Sequence, residues 1–349
     1  MSFREHQKTA IKSLVEQVGE QGAVRIIGEL LEEKKMIPED FSIKEIWEAV
    51  SSDIFPTITG QLINKKVIDA YNLYPTIGDQ LVTTVPSNME VERIVGLTDV
   101  DGVERVLEGA AYNDTELGEK YVTIVNQKFG RTISITEEAI MFDRTNQLLQ
   151  RAQMIGEKAA YEKEKMIVQK AIDVNSDAYS VSGVPGVLYR STASGLHKVN
   201  LSTSSPFGEA GLEAVYKLMH TMTDDNGDYT GINTANLILL VPQDLMVEAM
   251  QMQKSTLVPE GTENAVNTFQ GAFRAVLTSQ WITANNSTTW YLGDFKRNLW
   301  WTEVWPIQTM TLAQGSYDEF KRDIKAQYKV RFFGGCGAID HKHVYKCTA

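Results

Sequence analysis

The sequence predicts an α+β protein, long enough for two domains or for one extended chain with several lobes. Three observations carry this. One long helical pattern runs from Asn146 to Asp173. Alternating runs precede it at Tyr121-Val122-Thr123-Ile124-Val125 and Thr132-Ile133-Ser134-Ile135-Thr136, and a longer one returns at Ile324 to Phe332. Between them, from Ala210 to Leu292, helical and strand patterns alternate, as in a lobe of mixed sheet.

Residues 2–53 read as short amphipathic helices. Ser2 with Glu5, and Ser42 with Glu45, fit capping boxes. Ile11, Leu14, Val15 and Val18 recur at helical spacing, as do Ile26, Ile27, Leu30 and Leu31. Residues 54–87, punctuated by Pro56, Pro75 and Pro86, read as irregular to extended. Tyr71, Tyr74, Ile77 and Leu81 are expected there as anchors.

From Glu90 to Lys120 the chain is acidic, with nine Asp and Glu against three basic residues, a local net of −6. Lying between strand-like runs, it reads as a hairpin. Thr136 is placed to cap a helix whose first turn holds Glu137 and Glu138. The apolar stripe of the long helix is read as Leu148, Ala152, Ile155, Ala159, Met166 and Ala171, and the helix would span roughly 40 Å. Its small residues Gly156, Ala159 and Ala160 permit close backbone approach.

Gly183 to Leu188 is a turn, and the Ser/Thr-rich Thr192 to Ser205 reads as a linker near a domain boundary. The next lobe holds a helix over Ala210 to Thr223, a short apolar strand over Asn236 to Val241, and a Met-rich helix over Gln243 to Gln253. Strands follow at Phe273 to Leu277, Trp290 to Leu292, Leu299 to Trp301 and Val304 to Trp305. In the last long strand Ile324, Ala326, Tyr328, Val330 and Phe332 alternate. Gly334-Gly335-Cys336-Gly337 is expected to bend it, and a final strand to end at Tyr345.

Composition excludes several classes. With 349 residues, 43% hydrophobic and 23% charged, the chain is globular. A net charge of −11 argues against an exposed nucleic-acid grip. Two cysteines give no disulfide framework and fit a reducing compartment during synthesis. The start lacks an apolar signal core, and no run approaches the 18 apolar residues of a membrane span.

Motifs for chemistry are weak. Cys336, His341, His343 and Cys347 are metal-ligand types, but their spacing matches no common zinc pattern. Asp224 to Asp228 resembles the start of a calcium loop, yet Tyr229 stands where Gly is needed and Ala235 where Glu is needed. It reads as a polar turn. No phosphate-binding glycine loop and no nucleophile elbow occur. Met246, Met250 and Met252 read as core filling, and Trp300, Trp301 and Trp305 as core or subunit interface. No catalytic, cofactor or metal residues are assigned.

A specific resemblance begins at Val106-Leu107-Glu108-Gly109-Ala110-Ala111. The strand pair Glu119 to Ile124 and Phe129 to Glu138 follows, then the helix Gln147 to Ile172, the turn Val184-Pro185-Gly186-Val187-Leu188, and Leu292-Gly293-Asp294-Phe295. In this order, over residues 60–349, the chain resembles the major capsid proteins of tailed bacteriophages with the Hong Kong 97-type fold. The resemblance implies an N-terminal helical arm over 1–60 and an extended loop over 88–132. It implies a peripheral domain with a long spine helix (61–87, 133–195, 303–332) and a mixed α/β axial domain (196–302, 333–349).

It further implies a non-enzymatic subunit that assembles with itself into hexameric and pentameric capsomers and an icosahedral shell around double-stranded DNA, held without sequence specificity. Portal, scaffold or maturation protease, and a decoration protein are the implied partners. No membrane is involved. The virion capsid is the implied location, with assembly in the host cytoplasm. One known member welds its shell by a lysine–asparagine bond, but neither Lys120 nor Lys128 matches that role, and no crosslink is expected. The alternatives are an encapsulin-like compartment shell, and a soluble metalloenzyme built on Cys336, His341 and His343.

An acidic loop needs a basic receiver. The expected subunit contacts are Glu108, Glu116 and Glu119 on one side. On the other are Lys163, Lys165 and Lys170 of the long helix, or Lys321, Arg322 and Lys325 before the last long strand. Such pairs register assembly more than they add affinity.

Overall fold

The computed structural model describes residues 55–97, 119–136, 138–139, 147–193, 197–224, 226–258, 266–312 and 324–348. In chain order the elements are α1 (Phe55–Leu73), α2 (Gly78–Leu81), β1 (Thr83–Pro86), β2 (Val91–Leu97), β3 (Glu119–Val125), β4 (Gln127–Thr136), α3 (Gln147–Ala171) and β5 (Leu201–Ser202). Then come α4 (Glu209–His220), β6 (Ile238–Val241), α5 (Met246–Lys254), β7 (Ala275–Thr278), α6 (Gln280–Asn285), β8 (Trp290–Gly293), α7 (Phe295–Asn298), β9 (Leu299–Leu312), β10 (Ile324–Ala338) and β11 (Val344–Cys347). Hydrogen bonding orders the strands β1-β9-β10-β4, β5-β11-β8-β6-β7 and β2-β3. This mixed helix-and-strand architecture is the α+β class the sequence predicts. Among the described residues, no helix is long and apolar enough to cross a membrane.

The chain divides into two compact units. The first comprises Met1–Pro75, Lys128–Glu162 and Trp305–Phe333. Here one expectation fails: Phe55–Leu73 is a helix, not an irregular stretch. Pro56 lies in its first turn, where a missing N–H costs nothing. Leu62, Ile63, Val67 and Ala70 form its buried stripe. Helix α3 packs closely on α1, since a Cβ on Gly156 would run into the Val67 carbonyl and lie 3.0 Å from the Ala70 Cβ. The long helix is where the sequence places it, but its stripe is shifted. Leu149, Ala152 and Ala160 are buried, whereas Ile155 and Ala159 are only half-buried. Packing of backbone against backbone selects Ala and Gly over the larger residues nearby. In β10, Ile324, Ala326, Tyr328, Val330 and Phe332 are all buried, as their alternation predicts.

The second unit comprises Thr76–Gln127, Lys163–Val304 and Gly334–Ala349. Its five-stranded sheet centres on β8, antiparallel to both β11 and β6, while β6 runs parallel to β7. All four residues of β6 are buried. Leu212, Val215 and Met219 of α4, Met252 of α5, and Trp290 and Tyr345 form the core beside the sheet. Trp290 satisfies its indole by donating to the Ser205 carbonyl at 3.0 Å. The short helix α6 carries no clear periodicity and is not foreseen from sequence.

The C-terminus of α3 is closed by a Schellman motif. Val174 N–H donates to Gln169 O and Asp173 N–H to Lys170 O, both at 3.2 Å. Asp173 takes the left-handed position at φ 51°, where glycine is usual. Its carboxylate explains the choice. It accepts from Ala178 N at 3.0 Å and from Leu188 N at 2.7 Å, so it ties the turn over 183–188 to the helix end.

Candidate intersubunit surface

Strands β2 and β3 form an antiparallel pair whose register runs from Val91 opposite Val125 to Leu97 opposite Glu119. One face is turned inward, with Val122 and Ile124 buried and Ile94 half-buried. The other carries Val91, Val95 and Val125, exposed by 42%, 66% and 54%. On that face the Arg93 guanidinium lies 5.6 Å from the centre of the Tyr121 ring. The β3 edge is occupied, because Thr123 N donates to Ser180 O and Ser182 N to Tyr121 O, each at 2.9 Å. The hairpin therefore presents a row of β-branched side chains to water on a fixed frame.

A buried polar knot holds the hairpin's base. Asn126 Nδ2 donates to Met89 O at 2.7 Å and to Ser87 Oγ at 3.2 Å. Ser87 Oγ in turn donates to Glu92 Oε2 at 2.6 Å. Thr302 Oγ1 donates to Asn126 Oδ1 at 2.5 Å, and Asn126 N–H donates to Glu90 O at 2.8 Å. Asn126, Ser87 and Thr302 are all buried, so each bond counts at its full desolvated value.

The glycine run in β10 belongs to this site. The strand runs on through it to Ala338. A Cβ on Gly335 would lie 2.5 Å from Val125 O, and one on Gly337 would lie 2.8 Å from Ile124 Cγ1. The glycines let the hairpin lie directly on the strand. Sequence reasoning missed Ser87, Asn126 and Thr302. The signal was present, since glycines at 334, 335 and 337 in a strand mark close approach.

The residues expected to make subunit contacts are placed as follows. Lys163 Nζ bonds Asp79 Oδ1 at 3.0 Å and lies 5.5 Å from the Trp301 ring centre. Lys170 Nζ is 2.7 Å from Asp177 Oδ1. Lys165 is half-buried on the same helix. Glu119 begins β3, and Lys325 lies near the start of β10. Glu108, Glu116, Lys321 and Arg322 lie outside the described residues, as does almost all of the expected arm. Beside Lys163, Glu164 is buried and accepts from Ile77 N at 3.2 Å. Burial pushes its carboxyl up to about 6, with the Ile77 bond opposing and nearby Asp79 adding to the rise.

The metal-type residues are distributed differently. Cys347 is in the sheet core, and Cys336 lines a cleft of about 410 Å³ with Lys170 and Asp177. Burial pushes the Cys336 thiol up to about 12, far from a reactive thiolate. His341 stacks on His197 with ring centres 3.9 Å apart and accepts from Lys198 N at 2.9 Å. Burial lowers the pKa of His343. Among the described residues, no three His, Cys, Asp or Glu side chains come together in a way that could hold a metal. Asp224 Oδ1 accepts from Asn226 N at 3.0 Å and Asp228 N at 2.8 Å, an Asx turn.

The first unit carries a different surface. Phe129 stacks on Phe332 at 5.1 Å toward α3. On the opposite strand face Arg331 lies over Trp305, 4.3 Å from its ring centre, with Lys128 at 5.7 Å. Phe333 meets the same indole edge-on at 5.3 Å. Lys329, two residues from Arg331, is exposed.

Comparison with known proteins places this architecture. A family model described as phage capsid protein matches residues 120–347. The fold is similar to that in the capsid structure of the cyanophage P-SCSP1u, at 11% identity over 79% of this chain and 88% of that one, with a TM-score of 0.51. The mature capsid of bacteriophage PhiM1 shows 10% identity over 79% and 87%, with a TM-score of 0.49. The virus-like particle from Pyrococcus furiosus shows 11% identity over 82% and 97%, with a TM-score of 0.46. No curated protein matches the chain.

Proposed function

This chain belongs to the phage capsid protein family, and from that premise we propose that its copies close into an icosahedral shell around the double-stranded DNA of a tailed bacteriophage. Self-assembly and a structural role in the virion come with the family. The DNA cargo, the hexameric and pentameric capsomers, and the partners portal, scaffold or maturation protease and decoration protein belong to the proposal. So does assembly in the host cytoplasm.

The observation that carries the reading is the β2–β3 hairpin. A monomer gains nothing by fixing Val91, Val95 and Val125 in water. Each apolar Å² left there forfeits about 25 cal/mol. A repeated neighbour recovers that at every subunit. The acidic balance of the chain, −11, fits enclosure of DNA with few phosphate contacts. Extraction of native particles tests the cargo. Long double-stranded DNA is expected. A packaged protein without DNA would instead make this an encapsulin-like compartment.

A further inference from the structure

The segment between α3 and β5 and the turn between β10 and β11 meet in the second unit at two stacked imidazoles, His197 and His341, with ring centres 3.9 Å apart. Both are buried, at 7% and 0% exposure. The backbone assigns their protons. Lys198 N–H donates to His341 Nε2 at 2.9 Å, so that nitrogen keeps its lone pair and the ring is neutral, with its hydrogen on Nδ1. That Nδ1 lies 3.4 Å from Asp340 Oδ1. His197 is the opposite case. Its Nδ1 lies 2.8 Å from the Lys198 carbonyl and its Nε2 lies 3.1 Å from the Leu188 carbonyl. A carbonyl only accepts, so both ring nitrogens are called on to donate, and only the imidazolium has two N–H groups. A neutral ring would set a lone pair against a carbonyl oxygen, with almost no water to intervene.

Burial works against the charge. Two carbonyl acceptors and the Tyr179 ring, 5.7 Å away, work for it. The acids on the elements packed around the ring are Asp173 and Asp340, the second turned toward the pair. The bases are Arg190, Lys198, Lys342 and Lys346. Tyr179, His341 and His343 complete the titratable groups there.

We propose that His197 is held as an imidazolium on a neutral His341, and that this proton latches the turn after α3 to the turn between β10 and β11, so that the second unit loosens at that junction as pH rises. The inference stands apart from the shell reading. Leu188 anchors the latch. Its N–H donates to Asp173 Oδ2 at 2.7 Å, so a grip on its carbonyl reaches the end of α3. Asn200 spans the same junction without charge, its Nδ2 donating to Leu188 O at 2.9 Å and to His341 O at 3.1 Å. The proton therefore tightens a junction that the amide already closes. A group that holds its proton more firmly in the fold than in the unfolded chain adds stability below about pH 6.5, the ordinary histidine range, and that stability is lost as pH rises.

The test is denaturant unfolding of the full-length, unassembled chain and of its His197→Gln variant, from about pH 6 to about pH 8.5. The folding equilibrium constant of the wild type, relative to the variant, is expected to fall about tenfold per pH unit above about pH 6.5, the slope of one proton. Glu164 contributes equally to both chains and cancels. His341→Gln, whose amide oxygen still accepts from Lys198 N, is expected to keep the wild-type slope. A ratio of wild type to His197→Gln that stays level or grows with pH overturns the proposal. So does a slope that His341→Gln abolishes and His197→Gln retains, since the proton then sits on His341. Should His197→Gln not fold, ring-nitrogen NMR of the wild type serves. At about pH 7.5 one buried histidine with protons on both ring nitrogens is expected, and its absence contradicts the proposal.

Discussion

Thr302 Oγ1 donates to Asn126 Oδ1 at 2.5 Å, in a place where neither residue meets water. That bond fixes the amide so that its Nδ2 faces Met89 O and Ser87 Oγ, and so sets the start of β2 against the end of β3. Asn126→Ala takes from Met89 O its amide donor and leaves the Thr302 hydroxyl only the Gly335 carbonyl, at 3.1 Å. The expected loss is about 2–3 kcal/mol in denaturant unfolding of the unassembled subunit. Thr302→Ser keeps the hydroxyl and should cost under about half as much. Equal losses for the two would show that the bond does not hold the hairpin.

Asp173 occupies a left-handed position that most side chains avoid, and repays that strain with two carboxylate bonds. Asp173→Ala keeps the strain and loses both bonds. It should destabilise by about 3 kcal/mol, and Asp173→Asn by clearly less, because the amide oxygen still accepts. Thermal melting of both variants at one pH checks the order.

Glu164 gives the fold a pH dependence of defined sign. Its folded pKa, about 6, is above its ordinary value of 4.5. The protonated form is therefore favoured in the fold. That stabilisation is fully present below about pH 4.5 and is lost as pH rises through about 6. Glu164→Gln, which holds the neutral form, should match the wild type at pH 4.5 and exceed it by about 1 kcal/mol at pH 7.5, after allowing for solvent screening. Stability curves that stay parallel across this range would contradict the assignment.

Val95 separates folding from assembly. It is 66% exposed, and its partner in register, Tyr121, already stacks with Arg93. Val95→Asp should change subunit stability by no more than about 0.5 kcal/mol. It should sharply lower particle yield, because a carboxylate then enters the face proposed for the contact. Unchanged yield would remove the hairpin face from the interface.

What could be read from sequence follows how local each cause is. The alternation from Ile324 to Phe332, the apolar β6 and the long α3 depend on near neighbours in the chain, and they stand where the pattern puts them. Phe55–Leu73 was obscured by Pro56 and by the β-branched Thr57, Ile58 and Thr59, which read as extended until the burial of Leu62, Ile63 and Val67 outweighs them. The glycines at 334–337 mark a contact with the hairpin far off in sequence, so they read locally as a bend. The knot of Ser87, Asn126 and Thr302 joins three distant segments, and no spacing reveals it. The acidic character of residues 98–118 is plain in the sequence. The lysines that could answer it are not, because the Asp79 and Asp177 partners of Lys163 and Lys170 appear only in the fold.

Sedimentation of the purified full-length chain, with electron microscopy of the fast fraction, tests the central claim most directly. The account predicts closed megadalton particles, or capsomers that convert to them as concentration rises. A discrete small oligomer that stays small at high concentration would contradict it.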